Sequence, residues 1–245
     1  MRPGDWSLDL DALLLVPALA LAYGLLARRF RPERWRIACL VAALVLLLAV
    51  FVTPLDSLAF HYLLSAHLLQ NVVIAEWAPL LLVLSIPPAL AARMDANRAW
   101  HGLTTPYVAL PLWVAVYDTW HLPVLYDAAL RHPDSLLHLE HASYLVCGLA
   151  LWWPVFHGSR LSDAGRAAYT FVGFLIASPL GLMLALLPRP VYAVYVHAPR
   201  IWVSALTDQQ LAGIAMATEE AIVFFAVFAW AFSRALRDEP EEVPA

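Results

Sequence analysis

Seven apolar runs, each close to the length needed to cross a lipid bilayer, constrain this chain more than any other feature. A helix needs about 20 predominantly apolar residues to span the hydrocarbon core, and 62% of the 245 residues are hydrophobic. The runs cover approximately residues 8–27, 35–53, 61–85, 106–120, 135–156, 167–187 and 208–233. The sequence therefore predicts an all-α fold, a polytopic membrane bundle of seven transmembrane helices rather than a soluble domain.

The arginines between these runs predict how the chain is oriented. Cytoplasmic loops of membrane proteins are enriched in basic residues, and all fifteen basic residues here are Arg. Eleven of them fall on one side of the predicted bundle and four on the other, namely Arg2, Arg131, Arg189 and Arg200. We therefore expect a multi-pass protein of the bacterial inner membrane, with its N-terminus outside and its C-terminus inside.

The remaining composition narrows the function classes. Residues 1–236 are expected to form one seven-span membrane domain, followed at 237–245 by a short disordered cytoplasmic tail that is acidic and contains proline. The arginines form no basic face, so nucleic acid is not an expected partner. Cys39 and Cys147 stand alone, which disfavours thiolate metal carriers. No nucleophile–base pair or phosphate-binding loop appears, so we do not expect an enzyme.

Four histidines map to the outer edge of the predicted bundle. They are His67, His121, His138 and His141. A polar side chain in or near hydrocarbon is costly, so several at one depth require a reason. Imidazole is a common metal ligand, and a metal site is therefore the leading interpretation. His121 and the other loop histidines are interpreted singly as interfacial anchors.

Further polar side chains reach the same depth from neighbouring runs. Gln70 and Asn71 share a helix face with His67, at spacings of three and four residues. Imidazole with thioether and without thiolate favours copper, and methionine favours Cu(I). The pattern predicts a shallow copper site that opens outward. Its predicted ligands are His67, His141, Met216 and His138, and its predicted polar network is Gln70, Asn71, Glu140, Asp208 and Gln209.

Three carboxylates, Glu76, Glu219 and Glu220, fall near the middle of the membrane. Glu76 is nine residues from His67, which at about 100° per residue places it on the opposite helix face. It is therefore not expected to bind the same metal. No basic residue shares their depth, so we expect protonated acids, hydrogen-bonded to Gln or Asn partners. They indicate either a proton or ion path, or polar contacts that hold helices together.

Three groups of short motifs follow one another along most of the chain. The first comprises TPLD at 53–56, SAHLLQ at 65–70 and APL at 78–80. The second comprises LYDAAL at 125–130, His138, EH at 140–141, Gly148 and WWP at 152–154. The third comprises Tyr192, Tyr195, DQQLAG at 208–213 and Met216. Each is weak alone, but in this order and within seven spans they resemble the CtaG-type cytochrome c oxidase assembly proteins, the Caa3-CtaG family.

The resemblance implies a polytopic protein needed to mature a haem-copper oxidase, with copper delivered or inserted at the outer face of the membrane. The partners it implies are oxidase subunits and a periplasmic copper chaperone, besides the lipid bilayer. The positions that carry over are His67, Gln70, His138, Glu140, His141, Asp208, Gln209, Gly213 and Met216. The chain departs from the family pattern at Asn71, where a second histidine is usual, at the residues after Met216, and at Glu76.

The sequence leaves several mechanisms open. In the first, His67, His141 and Met216 hold copper loosely and pass it to oxidase ligands by exchange. In the second, His67 and His141 are the axial ligands of a b-type haem in an electron-transfer protein. In the third, the protein is a metal-free chaperone that scaffolds oxidase subunits, which Asn71 and the mid-membrane acids favour. A copper permease is the last, although no methionine pair lines a run.

Overall fold

The computed structural model describes residues 2–7, 9–158 and 160–238, and within these ranges the chain forms helices joined by turns, with no β-strand. The all-α prediction is therefore confirmed. Two π-helical turns, Val73–Trp77 and Pro133–Leu137, adjoin the α-helices. The α-helices are α1 Leu10–Phe30, α2 Arg34–Val52, α3 Pro54–His61, α4 Leu64–Val72, α5 Ala78–Ser85, α6 Pro88–Asp95, α7 Arg98–Leu103, α8 Pro106–Trp120, α9 Pro123–Arg131, α10 His138–Phe156, α11 Asp163–Leu186, α12 Ala193–His197 and α13 Ala205–Asp238.

Five stretches are long and apolar enough to cross a membrane by length and composition. They are Ala12–Phe30, Arg34–Val52, Leu64–Ser85, Asp163–Leu186 and Ala205–Arg237. A sixth arises if α8 and α9, which are bent by 72° at the break between them, count as one broken span. Helix α10 has 19 residues but is not among them, since His138, Glu140 and His141 make its first turns polar. The structure thus supports five or six candidate spans, and the seven-span bundle stays a prediction.

Large apolar side chains cover the outside of the bundle. Leu14, Leu21, Val45, Leu186 and Ile222 are each more than half exposed. A soluble protein rarely exposes such extensive apolar surface, whereas a protein that lipid surrounds needs it. Many polar side chains are instead buried inside the bundle. This distribution supports a membrane protein with an apolar exterior and with polar side chains gathered in the interior.

The chain between α2 and α4 breaks where the sequence predicts the start of one helix. Thr53 caps the short helix α3, whose first residue is Pro54, a favoured first position because proline lacks the N–H that would go unpaired there. Helix α3 ends at His61, the chain turns at residues 62–63, and α4 begins at Leu64. The predicted start at residue 61 is therefore three residues early. The break leaves the first N–H groups of α4 in need of acceptors.

Two predicted runs extend beyond their expected ends. The run predicted over 106–120 matches α8, but the chain continues past a bend into α9. The run predicted over 208–233 is longer, since α13 extends from Ala205 to Asp238. The first two residues of the predicted tail therefore continue the last helix, and residues 239–245 lie outside the described part of the chain.

Glycines bring the backbones of two pairs of helical elements into close contact, α11 with α13 and α10 with the first π turn. A Cβ atom on Gly213 of α13 would lie 2.5 Å from both Ala185 N and Gly181 O of α11. A Cβ atom on Gly148 of α10 would lie 2.2 Å from Ala75 O in the first π turn. Small residues permit such close approach in membrane bundles, where van der Waals contact drives helix association. Packing alone thus accounts for glycine at position 213 of the DQQLAG motif.

Replacing Gly213 with alanine is expected to force α11 and α13 apart. The cost should be about 1–3 kcal/mol of stability, the usual penalty of overpacking. Gly24→Ala is the matched control, because a Cβ atom there meets nothing within 4 Å and alanine is the better helix former. Thermal unfolding of the detergent-solubilised protein measures both. Equal melting temperatures for the two variants would contradict the close packing.

Candidate functional site

A pair of histidines lies where α4 and α10 begin. His67, in the first turns of α4, is 1% exposed, and its ring centre is 6.4 Å from that of His141 in α10. The two rings are nearly perpendicular, at 89°. Tyr126 packs on His67 with ring centres 5.1 Å apart, and Phe51 packs on His141 at 5.3 Å. The structure therefore brings together two of the four predicted ligands, from separate helices, in an aromatic surrounding.

The hydrogen bonds of Tyr195 fix which nitrogen of His67 carries the proton. The Tyr195 hydroxyl donates to Ala59 O at 2.5 Å and lies 2.9 Å from His67 Nδ1. A hydroxyl has one proton to donate, so its oxygen must accept from Nδ1–H of His67. In the neutral ring the lone pair is then on Nε2. That atom is buried and has no hydrogen-bond partner in the described part of the chain, which leaves it available as a ligand.

His121 has a similar arrangement, although its position between α8 and α9 indicated an exposed loop. It is 4% exposed, and its Nδ1 lies 2.8 Å from Tyr117 O. A carbonyl can only accept, so Nδ1–H donates and Nε2 holds the lone pair, again buried without a partner. The Tyr192 hydroxyl donates to His121 O at 3.0 Å. His121 thus anchors the bend between α8 and α9, and its ring lies 6.0 Å from Tyr126.

His138 and His141 line one cavity of about 260 Å³, together with apolar residues of α1, α2 and the first π turn. His138 is exposed, while His141 is half-buried and its Nε2 has no hydrogen-bond partner among the side chains that the structure describes. Asp9 is the one acidic residue among the described lining of this cavity. The cavity therefore provides a path from the protein surface at His138 to the ring of His141.

Asn71 and Glu140 form a buried pair beside the histidines. Asn71 Nδ2 donates to Glu140 Oε1 at 3.0 Å, and both side chains are fully buried. The bond joins α4 to α10 one turn away from the facing rings. Tyr144 also interacts with the Glu140 carboxyl, whereas Asn71 Oδ1 has no hydrogen-bond partner among the described residues. The structure thus places two members of the predicted polar network next to the histidine pair.

Gln70 is directed away from the histidines. Its Nε2 donates to Val50 O at 2.9 Å and to Asp56 Oδ1 at 3.2 Å, so it ties α4 to the end of α2 and to α3. Burial raises the pKa of Asp56, and hydrogen bonds with Ser7 and Gln70 act in the opposite direction. The hydrogen bonds described for Gln70 therefore indicate a role in holding the break between α2 and α4.

Asp208 caps α4 from the start of α13. Its two oxygens accept from Leu64 N at 2.6 Å, from Ser65 N at 3.2 Å and from the Ser65 hydroxyl at 2.5 Å. Leu64 N and Ser65 N are the backbone groups that the break at residues 62–63 leaves without partners in the helix. A carboxylate at a helix N-terminus is also favoured by the helix dipole. The bonds of Asp208 support His67 through the backbone of α4.

Gln209 organises the segment before α12. Its Oε1 accepts from Val191 N at 2.8 Å, and its Nε2 donates to the carbonyls of Leu184 and Arg189 at 3.3 Å each. This segment leads to Tyr192 and Tyr195, the residues that contact the histidines. Gln209 is therefore a positioning residue for the tyrosines, and its described bonds do not reach the histidine rings.

Met216 and the mid-membrane acids lie on the other side of α4. Met216 is buried and lines a lateral groove of about 390 Å³ that also includes Trp77 and Glu219. Met216 is not among the residues that line the cavity at His138 and His141.

The mid-membrane acids lie close to one another. Glu76 is fully buried in the first π turn beside Glu219. Among the described hydrogen bonds, no Gln or Asn side chain binds these three acids, although such partners were expected. Instead, Trp77 Nε1 donates to Glu219. Among the described residues, no three His, Cys, Asp or Glu side chains are placed to hold one metal ion.

Comparison with known proteins identifies the family. The profile of the cytochrome c oxidase caa3 assembly factor (Caa3_CtaG) matches residues 20–238. The chain belongs to this family. The resemblance of the motifs is thereby confirmed, and the buried histidines, tyrosines and Asp208 lie within the matched region.

Curated relatives add no function. The chain is 25% identical over 242 residues to uncharacterized proteins of Mycobacterium bovis (Mb0105) and Mycobacterium tuberculosis (MT0111). The match covers 85% of this chain but only 36% of the length of each relative. No solved structure matches.

The tyrosines around His67 are the part of the site that the sequence did not assign. Tyr117, Tyr126, Tyr144, Tyr192 and Tyr195 are all buried and their rings contact those of His67 and His121 or one another. Three of them, Tyr126, Tyr192 and Tyr195, belong to the family motifs, and this was the sequence signal that could have indicated their place in the site. Tyrosine is enriched at membrane interfaces, so its position near the end of a run gave it no functional role.

Asp208→Ala is expected to loosen the start of α4, since two backbone N–H groups and a hydroxyl lose their acceptor. Loss of such a cap costs about 0.5–2 kcal/mol, and Asp208→Asn should keep part of it because the amide oxygen still accepts. Hydrogen exchange of the first turn of α4 measures the effect, with the exposed Asp134→Ala as control. Unchanged exchange in Asp208→Ala would show that the cap does not hold this helix.

Proposed function

We propose that this protein assists cytochrome c oxidase assembly by holding copper briefly between His67 and His141 and passing it to an oxidase subunit. The proposed setting is the outer side of a bacterial inner membrane, with seven spans and the N-terminus outside. Membership of an assembly-factor family supports the oxidase role and suggests a role without catalysis. The observation that carries the copper step is the pair of buried Nε2 atoms, without a hydrogen-bond partner among the described residues, on two neighbouring rings whose centres are 6.4 Å apart.

The spacing of the rings suits a two-coordinate metal ion. With metal–nitrogen distances of about 2 Å, an ion bound linearly by two imidazoles separates their ring centres by about 6 Å. The observed separation is 6.4 Å. The hydrogen bond to Tyr195 keeps the Nε2 lone pair of His67 available, as ligating histidines usually require. Few ligands and the absence of thiolate favour release over storage.

The other predicted ligands have different parts in this proposal. His138 shares the cavity of His141 and is exposed, so it is suited to receive copper from a periplasmic copper chaperone or to release it. Met216 lines the separate lateral groove, and we therefore assign the first binding step to the histidines alone. The side on which the site opens rests on the distribution of the arginines, eleven against four.

A metal-free scaffold for oxidase subunits is the second candidate. The absence of any group of three metal-ligating side chains among the described residues favours it, as do the structural bonds of Asp208 and Gln209. A b-type haem is less compatible with the structure, since a porphyrin would have to enter between rings that Tyr126 and Phe51 already contact.

Copper uptake by the purified protein tests the proposal. We expect wild type to bind Cu(I) with a stoichiometry near one, and His67→Ala and His141→Ala each to lose most of that binding and to reduce oxidase assembly in cells. His197→Ala, a substitution of an exposed histidine, is the matched control. Oxidase assembly that survives both substitutions, together with no copper in wild type, would refute copper transfer. Loss of copper binding with intact assembly would favour the scaffold.

Tyr195→Phe tests whether the tautomer of His67 matters. Removing the hydroxyl takes away the acceptor of Nδ1–H, and loss of such a supporting bond typically weakens metal binding about 10–100-fold. Tyr107→Phe is the control, because Tyr107 is 79% exposed. Cu(I) competition titrations give the affinities, and circular dichroism checks the fold. Equal affinities for both variants would exclude a positioning role for Tyr195.

A further inference from the structure

Three buried carboxyl groups meet between the first π turn and α13. Glu76 and Glu220 are fully buried, and none of their four carboxyl oxygens has a donor among the residues that the structure describes. The carboxyl of Glu76 lies within hydrogen-bonding reach of that of Glu219, and Glu220 interacts electrostatically with both. Two further groups interact electrostatically with these acids, namely Asp118, which is acidic, and Tyr117. No cation therefore compensates the cluster within the described interactions.

An independent side chain points to a ligand at the same place. Tyr117 of α8 is 1% exposed, and within the described residues its hydroxyl has no hydrogen-bond partner. This hydroxyl interacts electrostatically with Glu76, Glu219 and Glu220. A buried hydroxyl without a partner is costly. We therefore expect the Tyr117 hydroxyl to donate a hydrogen bond to an ionised carboxylate of this cluster or to accept one from a protonated carboxyl. The three acids and the tyrosine converge from three separate elements.

The local backbone is built to hold this arrangement. The π turn Val73–Trp77 contains Glu76, and π turns disturb the regular pairing of backbone carbonyls. Two indoles supply donors there: Trp113 Nε1 donates to Ala75 O at 3.4 Å, and Trp152 Nε1 donates to Glu76 O at 3.1 Å. The carbonyls of Ala75 and Glu76 thus have hydrogen-bond donors, whereas the Glu76 carboxyl interacts with the carboxyls of Glu219 and Glu220.

We propose that Glu76, Glu219 and Glu220 with Tyr117 form an intramembrane proton-binding site. Two carboxyl groups can hydrogen-bond only if one is protonated, and neighbouring carboxylates do not both ionise in an apolar setting. A metal cation is not the ligand, since the described side chains are not placed to coordinate one. The site is separate from the histidine pair and does not depend on copper.

The donors around the cluster assign the proton within the pair. Trp77 Nε1 donates to Glu219, which stabilises a carboxylate there. Glu76 has no such donor, so its carboxyl carries the proton and donates it to Glu219. Uptake of the proton forms one O–H bond on Glu76 and neutralises one negative charge. Glu219 also lines the lateral groove with Trp77 and Thr218, so its side chain connects the buried pair to the surface of the bundle.

A hydrophobic carbodiimide is the probe for this site. A protonated carboxyl adds across a C=N bond of dicyclohexylcarbodiimide: the oxygen joins the central carbon, the proton goes to nitrogen, and no redox partner is needed. We expect the full-length protein in lipid vesicles at neutral pH to be labelled within residues 76 and 219–220, as located by mass spectrometry. Exposed Glu33 should remain unlabelled, since it lies outside the predicted membrane spans, where a hydrophobic carbodiimide does not concentrate.

Infrared spectroscopy of the same vesicles provides the second readout. Glu76→Gln is expected to remove a protonated-carboxyl C=O band that shifts in D₂O, and Glu33→Gln to leave it unchanged. The labelling experiment uses wild type alone, so it still tests the proposal if Glu76→Gln does not fold. Absence of labelling at all three glutamates, or a band unchanged in folded Glu76→Gln, would overturn it.

Discussion

The carboxylate of Asp208 at the start of α4 is the interaction on which the histidine pair depends. The break at residues 62–63 frees the first N–H groups of α4, and in an apolar surrounding water cannot satisfy them. Asp208 does so from α13. This fixes the depth at which α4 starts, and His67 follows three residues later. Gln209, the next residue, holds the segment that carries Tyr195 against the same ring.

Much of the fold follows from the sequence, because lipid leaves few choices. Apolar runs of sufficient length must form helices in a bilayer, so the all-α architecture was predictable. The break before α4 was not, since Thr53-Pro54 indicates where a helix begins but nothing local indicates that it stops eight residues later. The π turn at Val73–Trp77 was equally hidden, as it results from the packing of Gly148 and two indoles against the backbone.

The candidate site was predictable in part for the same reason. His67 and His141 stood near the predicted ends of two runs, and the bundle brings their rings to 6.4 Å. Helical periodicity also placed Gln70 and Asn71 on the face of His67. It predicts which face of the helix a side chain occupies, but not which residue of another helix it contacts. Asn71 meets Glu140, whereas Gln70 turns to Val50 and Asp56. Which partner each takes depends on the crossing of helices, information that one helix does not contain.

Asn71 joins these arguments to function. Where the family pattern has a second histidine, the amide here donates to Glu140 and so holds α10 against α4. An amide is a poorer copper ligand than imidazole, so the substitution trades a ligand for a link between the helices that carry His67 and His141. A site with two histidines and a fixed separation binds less tightly than one with three. For a protein proposed to give its copper away, weaker binding in a rigid frame favours transfer.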